Sequence, residues 1–192
     1  PGDFGPLPRD VDYDKTWDRV VTMFQKHAQR GREEGVEMLW ELESGQIFVK
    51  PSEAVKLLND VGDDNLKLMY DIGHVEACAV LAHNQVQPQE RLEGGQLEFV
   101  ELMKGKIGHM HVCDTDSNTW HNAFGTHLGI GKGIIDFDAL IPAVVDALSD
   151  VLNQGLTTLV VNTLTLVAAV GGLFLLDWRL GLVALLVLPP GI

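Results

Sequence analysis

The sequence predicts an α/β fold in which parallel strands alternate with helices, a partial (β/α)8 arrangement followed by a hydrophobic helical hairpin. Three observations predict it. Short apolar runs alternate with amphipathic segments through the first 143 residues. Ionisable residues gather where those apolar runs stop. Charge then all but disappears from the chain.

The elements follow in order. Residues 12–35, DYDKTWDRVVTMFQKHAQRGREEG, place Trp17, Val20, Val21, Phe24 and Ala28 at helical spacing. Asp12 or Asp14 is a start cap, and Gly31 or Gly35 an end signal. VEMLWELE, residues 36–43, reads as a strand. KPSEAVKLLNDVG reads as a short helix, with Pro51 before it, Ser52 as cap and Gly62 after it. LKLMYD is the second strand, and VEACAVLAHNQ has a helical pattern. PQERLEGGQLEFVELMKG ends in an amphipathic helix over Leu97, Val100, Leu102 and Met103. KIGHMHVCD is the third strand. A Gly-rich loop and a helix over DFDALIPAVVDAL complete this part. Strands and helices at this spacing describe βαβ units on a parallel sheet.

Charge bounds the function. The 192 residues carry 14 basic and 27 acidic groups, a formal net charge of −13. Affinity for a nucleic-acid backbone rests on Lys and Arg, so this balance argues against nucleic acid as a partner. Two cysteines, Cys78 and Cys113, form no disulfide framework and no metal-thiolate spacing, and read as small reduced residues. The opening PGDFGPLPRD is a loop, with no charged start followed by an apolar run, and suggests a chain that begins inside a longer gene.

A buried parallel strand is expected to be apolar throughout. These strands depart from that at their C-terminal ends: Glu41 and Glu43, then Asp71, then His109 and His111. That edge is where α/β folds bind ligands. Converging Glu, Asp and His side chains suit a divalent metal such as Mn, Mg, Co or Zn. Each residue also has a plainer reading. Glu41 can be a paired interior carboxylate, and His109 a neighbour of a ligand. His74, past the strand end, can touch substrate or begin a helix. His27 and His83 read as surface residues. Asp114, Asp116, His121 and His127 lie in a loop, where Asp is ordinary turn chemistry.

The motifs WELESG, KPSEAVKLLNDVG, LMYDIGH, GHMHVCD and HLGIGKGIIDFDALIPAV together resemble the sugar phosphate isomerase/epimerase family, the xylose-isomerase-like TIM barrels. The resemblance covers residues 1–143. It implies a (β/α)8 barrel with a divalent metal at the C-terminal face. Carried over by motif, Glu43 resembles the first metal ligand and the catalytic base, Asp71 the second ligand and His111 the third. His74 and His127 resemble substrate-binding histidines. The implied partner is a small-molecule sugar or sugar phosphate, and the implied setting is cytoplasmic. The implied reaction removes a proton from carbon beside a carbonyl, with the metal polarising that carbonyl.

Two departures stand out. The family's fourth ligand is usually a Glu on the last strand, and no Glu follows Glu101. The chain also begins after what would be the fourth strand, so open edges and impaired turnover are expected.

The remaining residues, 144–192, are of another kind. No charge falls between Val151 and Leu176, and Asp177 and Arg179 are the only charged residues after Asp150. About 20 apolar residues suffice to span a bilayer. The segment resembles part of the transmembrane domain of an ATP-binding-cassette exporter, with Leu156–Leu176 and Leu180–Leu188 as two helices around a DWR turn. It implies membrane association through 151–192 and carries no ATP-binding motif. A competing reading makes LTTLVVN, residues 156–162, the last barrel strand. Three functions therefore compete: a metal-dependent sugar isomerase or epimerase, a membrane transport segment with an incidental soluble part, and a metal-dependent nuclease on the same barrel type. The net charge weighs against the last.

Overall fold

A computed structural model describes residues 11–120, 124–179 and 182. Contacts divide the chain into two units, Pro1–Asp150 and Val151–Ile192.

In the first unit, helix α1 (Tyr13–Glu33) starts where Asp12 accepts the Lys15 backbone N–H. It ends at Glu34, and Gly35 follows with φ of 67°. Its apolar stripe lies on α2 (Pro51–Val61), where the Trp17 indole N–H donates to Asp60 Oδ2 at 2.8 Å. Ser52 is not the cap of α2. Pro51 is already the first helical residue, and the Glu53 carboxylate turns back to accept the Lys50 N–H at 3.0 Å. Proline suits that position because the first helical N–H has no partner to lose. Gly62 closes the helix at φ of 63°.

Three parallel strands form the sheet in the order β1 (Met38–Glu41), β2 (Leu66–Asp71), β3 (Ile107–His111). Leu66, Leu68 and Tyr70 of β2 are buried with Leu57, Leu58, Phe99 and Met103. The alternation of strand side chains puts Glu41, Met69, Asp71, His109 and His111 on the opposite face, since Glu41 pairs with Met69 and Asp71 with His111. β1 is shorter than the sequence suggests. It stops at Glu41, so Glu43 falls in the turn beyond the strand.

β2 runs directly into a one-turn helix, α3 (Ile72–Val75), continued by a π-helical turn over Glu76–Val80. The expected helix over 75–85 is therefore broken early, and Ala82 and Asn84 take positive φ. α4 (Gly95–Leu102) follows. After β3 the expected Gly-rich loop contains a small antiparallel pair, β4 (Thr119–Trp120) with β5 (Phe124–Gly125), and a bridge between Asp114 and Leu128. His121 lies outside the described residues.

α5 runs from Phe137 to Leu176, and Leu140, Val144 and Ala147 join the core of the first unit. The sequence reading ended this helix near residue 148, and its competing reading put a strand at 156–162. Both are corrected: the backbone stays helical past residue 148 and through Gly155 to Leu176. Asp177 ends it, its carboxylate accepting the Arg179 N–H at 2.9 Å. Apart from Leu182, the expected second helix at Leu180–Leu188 lies outside the described residues.

β5 lies hard against α3. A Cβ on Gly125 would sit 1.8 Å from the Gly73 carbonyl oxygen, whereas one on Gly129 would meet nothing nearer than Lys132 Cγ at 4.0 Å. Gly125→Ala should destabilise the chain by about 1–3 kcal/mol, and Gly129→Ala by less than about 0.5 kcal/mol. Urea midpoints of the two variants check this; equal midpoints would contradict the packing.

Candidate metal and substrate site

The site is built on the end of β2. Asp71 is 1% exposed, and its Oδ1 accepts the His74 backbone N–H at 3.0 Å, which starts α3. His127 Nε2 stands 3.0 Å from the same oxygen, and the Cys113 thiol 3.8 Å. Oδ2 is buried and accepts no hydrogen bond from the described residues. His111 Nδ1 lies 3.3 Å from Oδ2 and 3.2 Å from Glu41 Oε1. The ligand atoms of Glu41, Asp71 and His111 all fall within 4.8 Å of one another.

Two further sets have ligand atoms as close: Asp71 with His74 and His127, and Glu41 with Glu43 and His74. The structure thus brings all five expected site residues to one edge of the sheet, and adds a sixth. Asp71 and His111 share a set with Glu41, while Glu43 shares its set with Glu41 and His74. Glu41 and Glu43 have the same strand parity, so sequence spacing does not separate them. The strand end does, because only Glu41 keeps the register that faces Asp71 and His111. His109 packs edge-on against the His111 ring, with centroids 5.5 Å apart.

The surroundings tune these groups. Burial pushes the Glu43 carboxyl above the usual range, reinforced by the adjacent Glu41 and then by Asp71. Burial pushes the His74 ring below its usual value, against the opposing pull of Asp71. His74 Nδ1 accepts the Gly125 N–H at 3.2 Å, which assigns the proton of the neutral ring to Nε2. Burial and the Asp71 charge push the Cys113 thiol up to about 11, so it is a thiol and not a thiolate.

Sequence reading assigned one residue to ordinary turn chemistry that the structure places otherwise. Asp114 is no turn residue but a buried one, 1% exposed. Its Oδ1 accepts the N–H groups of Thr115 and Ile135, and its Oδ2 those of Gly131 and Gly133. Burial raises its carboxyl, and these N–H groups outweigh that and hold it below the usual range. Asp116, by contrast, is exposed turn chemistry, accepting from Thr126 and Asn118.

A profile of the Xylose isomerase-like TIM barrel family matches residues 2–148. The chain belongs to this family. An uncharacterised protein of Methanocaldococcus jannaschii is 29% identical over 94 residues, covering 48% of this chain and 26% of that protein. D-psicose 3-epimerase of Clostridium cellulolyticum, solved with D-tagatose, is 17% identical, with a TM-score of 0.53 over 74% of this chain and 43% of its own. A xylose isomerase-like TIM barrel protein of Mycobacterium smegmatis, solved in complex with magnesium, is 15% identical, with a TM-score of 0.53 over 74% and 44%. The chain therefore spans less than half the length of each of these proteins. At these identities the solved structures establish the family's fold.

The neutral, buried His74 has a consequence for pH. Its folded pKa lies below its unfolded value near 6.5. The stability it contributes is full above that value and is lost as pH falls through the folded one. In chelator-containing buffer the wild-type urea midpoint should fall between pH 7.5 and 5 more steeply than that of His74→Phe. Parallel slopes would show that His74 does not titrate in this way.

Proposed function

We propose that this chain carries the metal and substrate site of a sugar isomerase or epimerase that moves a proton beside a carbonyl. The observation that carries this reading is the buried Asp71 carboxylate. One oxygen is saturated, and the other accepts no hydrogen bond from the described residues and lies 3.3 Å from His111 Nδ1 beside Glu41. A buried carboxylate costs several kcal/mol unless it is paired, and a divalent cation supplies the pairing charge. Mixed oxygen and imidazole donors fit Mn, Mg, Co or Zn.

In this reading Glu41, Asp71 and His111 hold the cation. Bound there, a divalent cation supplies Lewis acidity toward a carbonyl oxygen and its neighbouring hydroxyl. Glu43 is the base. Its raised proton affinity suits a group that must take a proton from carbon and give it back. The electron pair left on carbon moves into the carbonyl. Return of the proton by Glu43 to the neighbouring carbon, as the hydroxyl proton passes to the former carbonyl oxygen, isomerises the sugar; inversion at the same carbon requires a second proton donor on the opposite face. His74 offers Nε2–H to a substrate oxygen. The bond from Gly125 keeps that nitrogen a donor, which favours a substrate contact over a metal one. His127, half-exposed and anchored on Asp71, stands at the mouth for a second hydroxyl. The substrate class is a ketose or aldose or its phosphate, and the setting is cytoplasmic. The charge of −13 argues against a nucleic-acid substrate.

The reaction is checked by incubating the chain with Mn2+ and a ketohexose in D2O and following deuterium entry beside the carbonyl by NMR. Glu43→Gln should slow exchange by about 100-fold or more yet still bind Mn2+ in titration calorimetry. His111→Ala should lose both Mn2+ binding and exchange. Metal-independent exchange, or full exchange in His111→Ala, would overturn the reading.

One observation supports a membrane attachment besides. Leu156–Leu176 is a 21-residue helix of mean hydropathy 2.2 with none of its span buried. At 1.5 Å per residue it is about 31 Å long, the thickness of a hydrocarbon core. The family match ends at residue 148, short of this segment. Length and composition describe a span and not a transporter, so the exporter resemblance contributes only the span. Residues 1–192 expressed in cells should sediment with membranes and resist carbonate extraction, while residues 1–150 should not. A full chain that stays in the supernatant as a monomer without detergent would rule out the attachment.

A further inference from the structure

The loop after β3 is wound around a single carboxylate. Asp114 Oδ1 accepts Thr115 N–H at 2.9 Å and Ile135 N–H at 3.2 Å. Oδ2 accepts Gly131 N–H at 2.9 Å and Gly133 N–H at 2.8 Å. A Cβ on Gly133 would lie 2.3 Å from Asp114 Oδ1 and 2.1 Å from the Thr115 carbonyl oxygen, so the loop closes with no space to spare. Two N–H groups of the GIGKG run, those of Gly131 and Gly133, are thereby given to the protein's own carboxylate.

The Asp114 backbone ties down the other end of the same loop. Its N–H donates to the Leu128 carbonyl at 2.9 Å and its carbonyl accepts the Leu128 N–H at 2.7 Å. Leu128 adjoins His127. On the far side of His127, the Thr126 hydroxyl bonds Thr115 Oγ1 at 2.8 Å and Asp116 Oδ1 at 2.6 Å. His127 is thus held between two anchored residues. Its Nε2 meets Asp71 Oδ1 at 3.0 Å, and its ring centroid lies 4.7 Å from that of His74.

We propose that Asp114 is a positioning residue: by closing the 128–135 loop on its carboxylate it holds His127 against Asp71 and His74. It touches no substrate and acts through His127. The turnover arm of its test rests on the function proposed above, and the spectroscopic arm does not.

Asp114→Asn keeps the side chain's size. It presents an amide N–H to two of the four backbone donors, so the loop loses its centre. The full 192-residue chain, histidine-labelled, is compared with Asp114→Asn by NMR. The Trp17 indole N–H resonance, set by its bond to Asp60, reports that α1 and α2 remain packed. With that signal unchanged, the cross-peak between the His74 and His127 rings should vanish. In the exchange assay Asp114→Asn should lower kcat/KM by about 10- to 100-fold. The double variant Asp114→Asn/His127→Gln should lie within about twofold of His127→Gln alone, because a residue acting through His127 has nothing left to add. A retained cross-peak in folded Asp114→Asn, or losses that multiply in the double variant, would overturn the proposal. If Asp114→Asn does not fold, Gly133→Ala, which crowds the same carboxylate and keeps its charge, is judged by the same cross-peak. A wild-type chain with no exchange would overturn the proposed function alone, leaving the cross-peak to decide on Asp114.

Discussion

A buried carboxylate at the end of the central strand is the constraint around which the first unit is organised. Asp71 lies almost wholly out of water, and one of its oxygens receives a backbone N–H, a histidine nitrogen and a thiol. Such a group is costly to bury unless charge or hydrogen bonds compensate it. The compensation comes from every direction: α3 starts on it, β3 brings His111 beside it, and the loop before α5 brings His127. The remaining oxygen is the unfinished part of the arrangement, and it faces Glu41 and His111 as a metal ligand would. Fold and site therefore share a residue. The side chain that caps α3 is the one on which the proposed chemistry turns.

Around this centre the chain uses close backbone approach to bring distant segments together. Gly125 lies against Gly73, and its N–H fixes the tautomer of His74. Gly133 lies against Thr115 and the Asp114 carboxylate. Two carboxylates, Asp71 and Asp114, then carry complementary tasks. Asp71 gathers imidazoles about its two oxygens. Asp114 gathers backbone N–H groups into a loop that delivers one of those imidazoles. Glu41 and Glu43 show the same economy. Partly buried and set beside Glu41, the Glu43 carboxyl holds a proton more firmly than an isolated glutamate, and the proposed base at carbon needs that affinity.

The second unit obeys other rules. It has one acid and one base, and its described helix over Leu156–Leu176 is uncharged around its whole circumference and strongly apolar on average. Such a helix has no charged face to give to water. The helical backbone runs from Phe137 through Leu176, past Pro142 and Gly155, Gly171 and Gly172, although the composition changes sharply on the way. Secondary structure here follows local rules, while the environment that would stabilise it follows hydropathy.

Much of this was settled by the sequence itself. The alternation of periodicities determined three parallel strands with helices between them, and the ends of those strands determined where the ionisable groups would collect. Asp71, His74, His111 and His127 were legible because each stands where an apolar run stops or a Gly-rich loop begins. Only the tertiary structure sets Glu41, and not Glu43, in register beside Asp71 and His111, since both share one parity and the difference depends on where β1 leaves the sheet. It alone turned Asp114 from a turn residue into the centre of a loop, because its four backbone donors lie up to 21 residues away along the chain. It likewise gave His74 its tautomer through Gly125, a contact across 51 residues. Patterns along a chain record what each segment does locally. Which carboxylate meets which donor depends on loops closing in space, and the sequence carries no local mark of that closure.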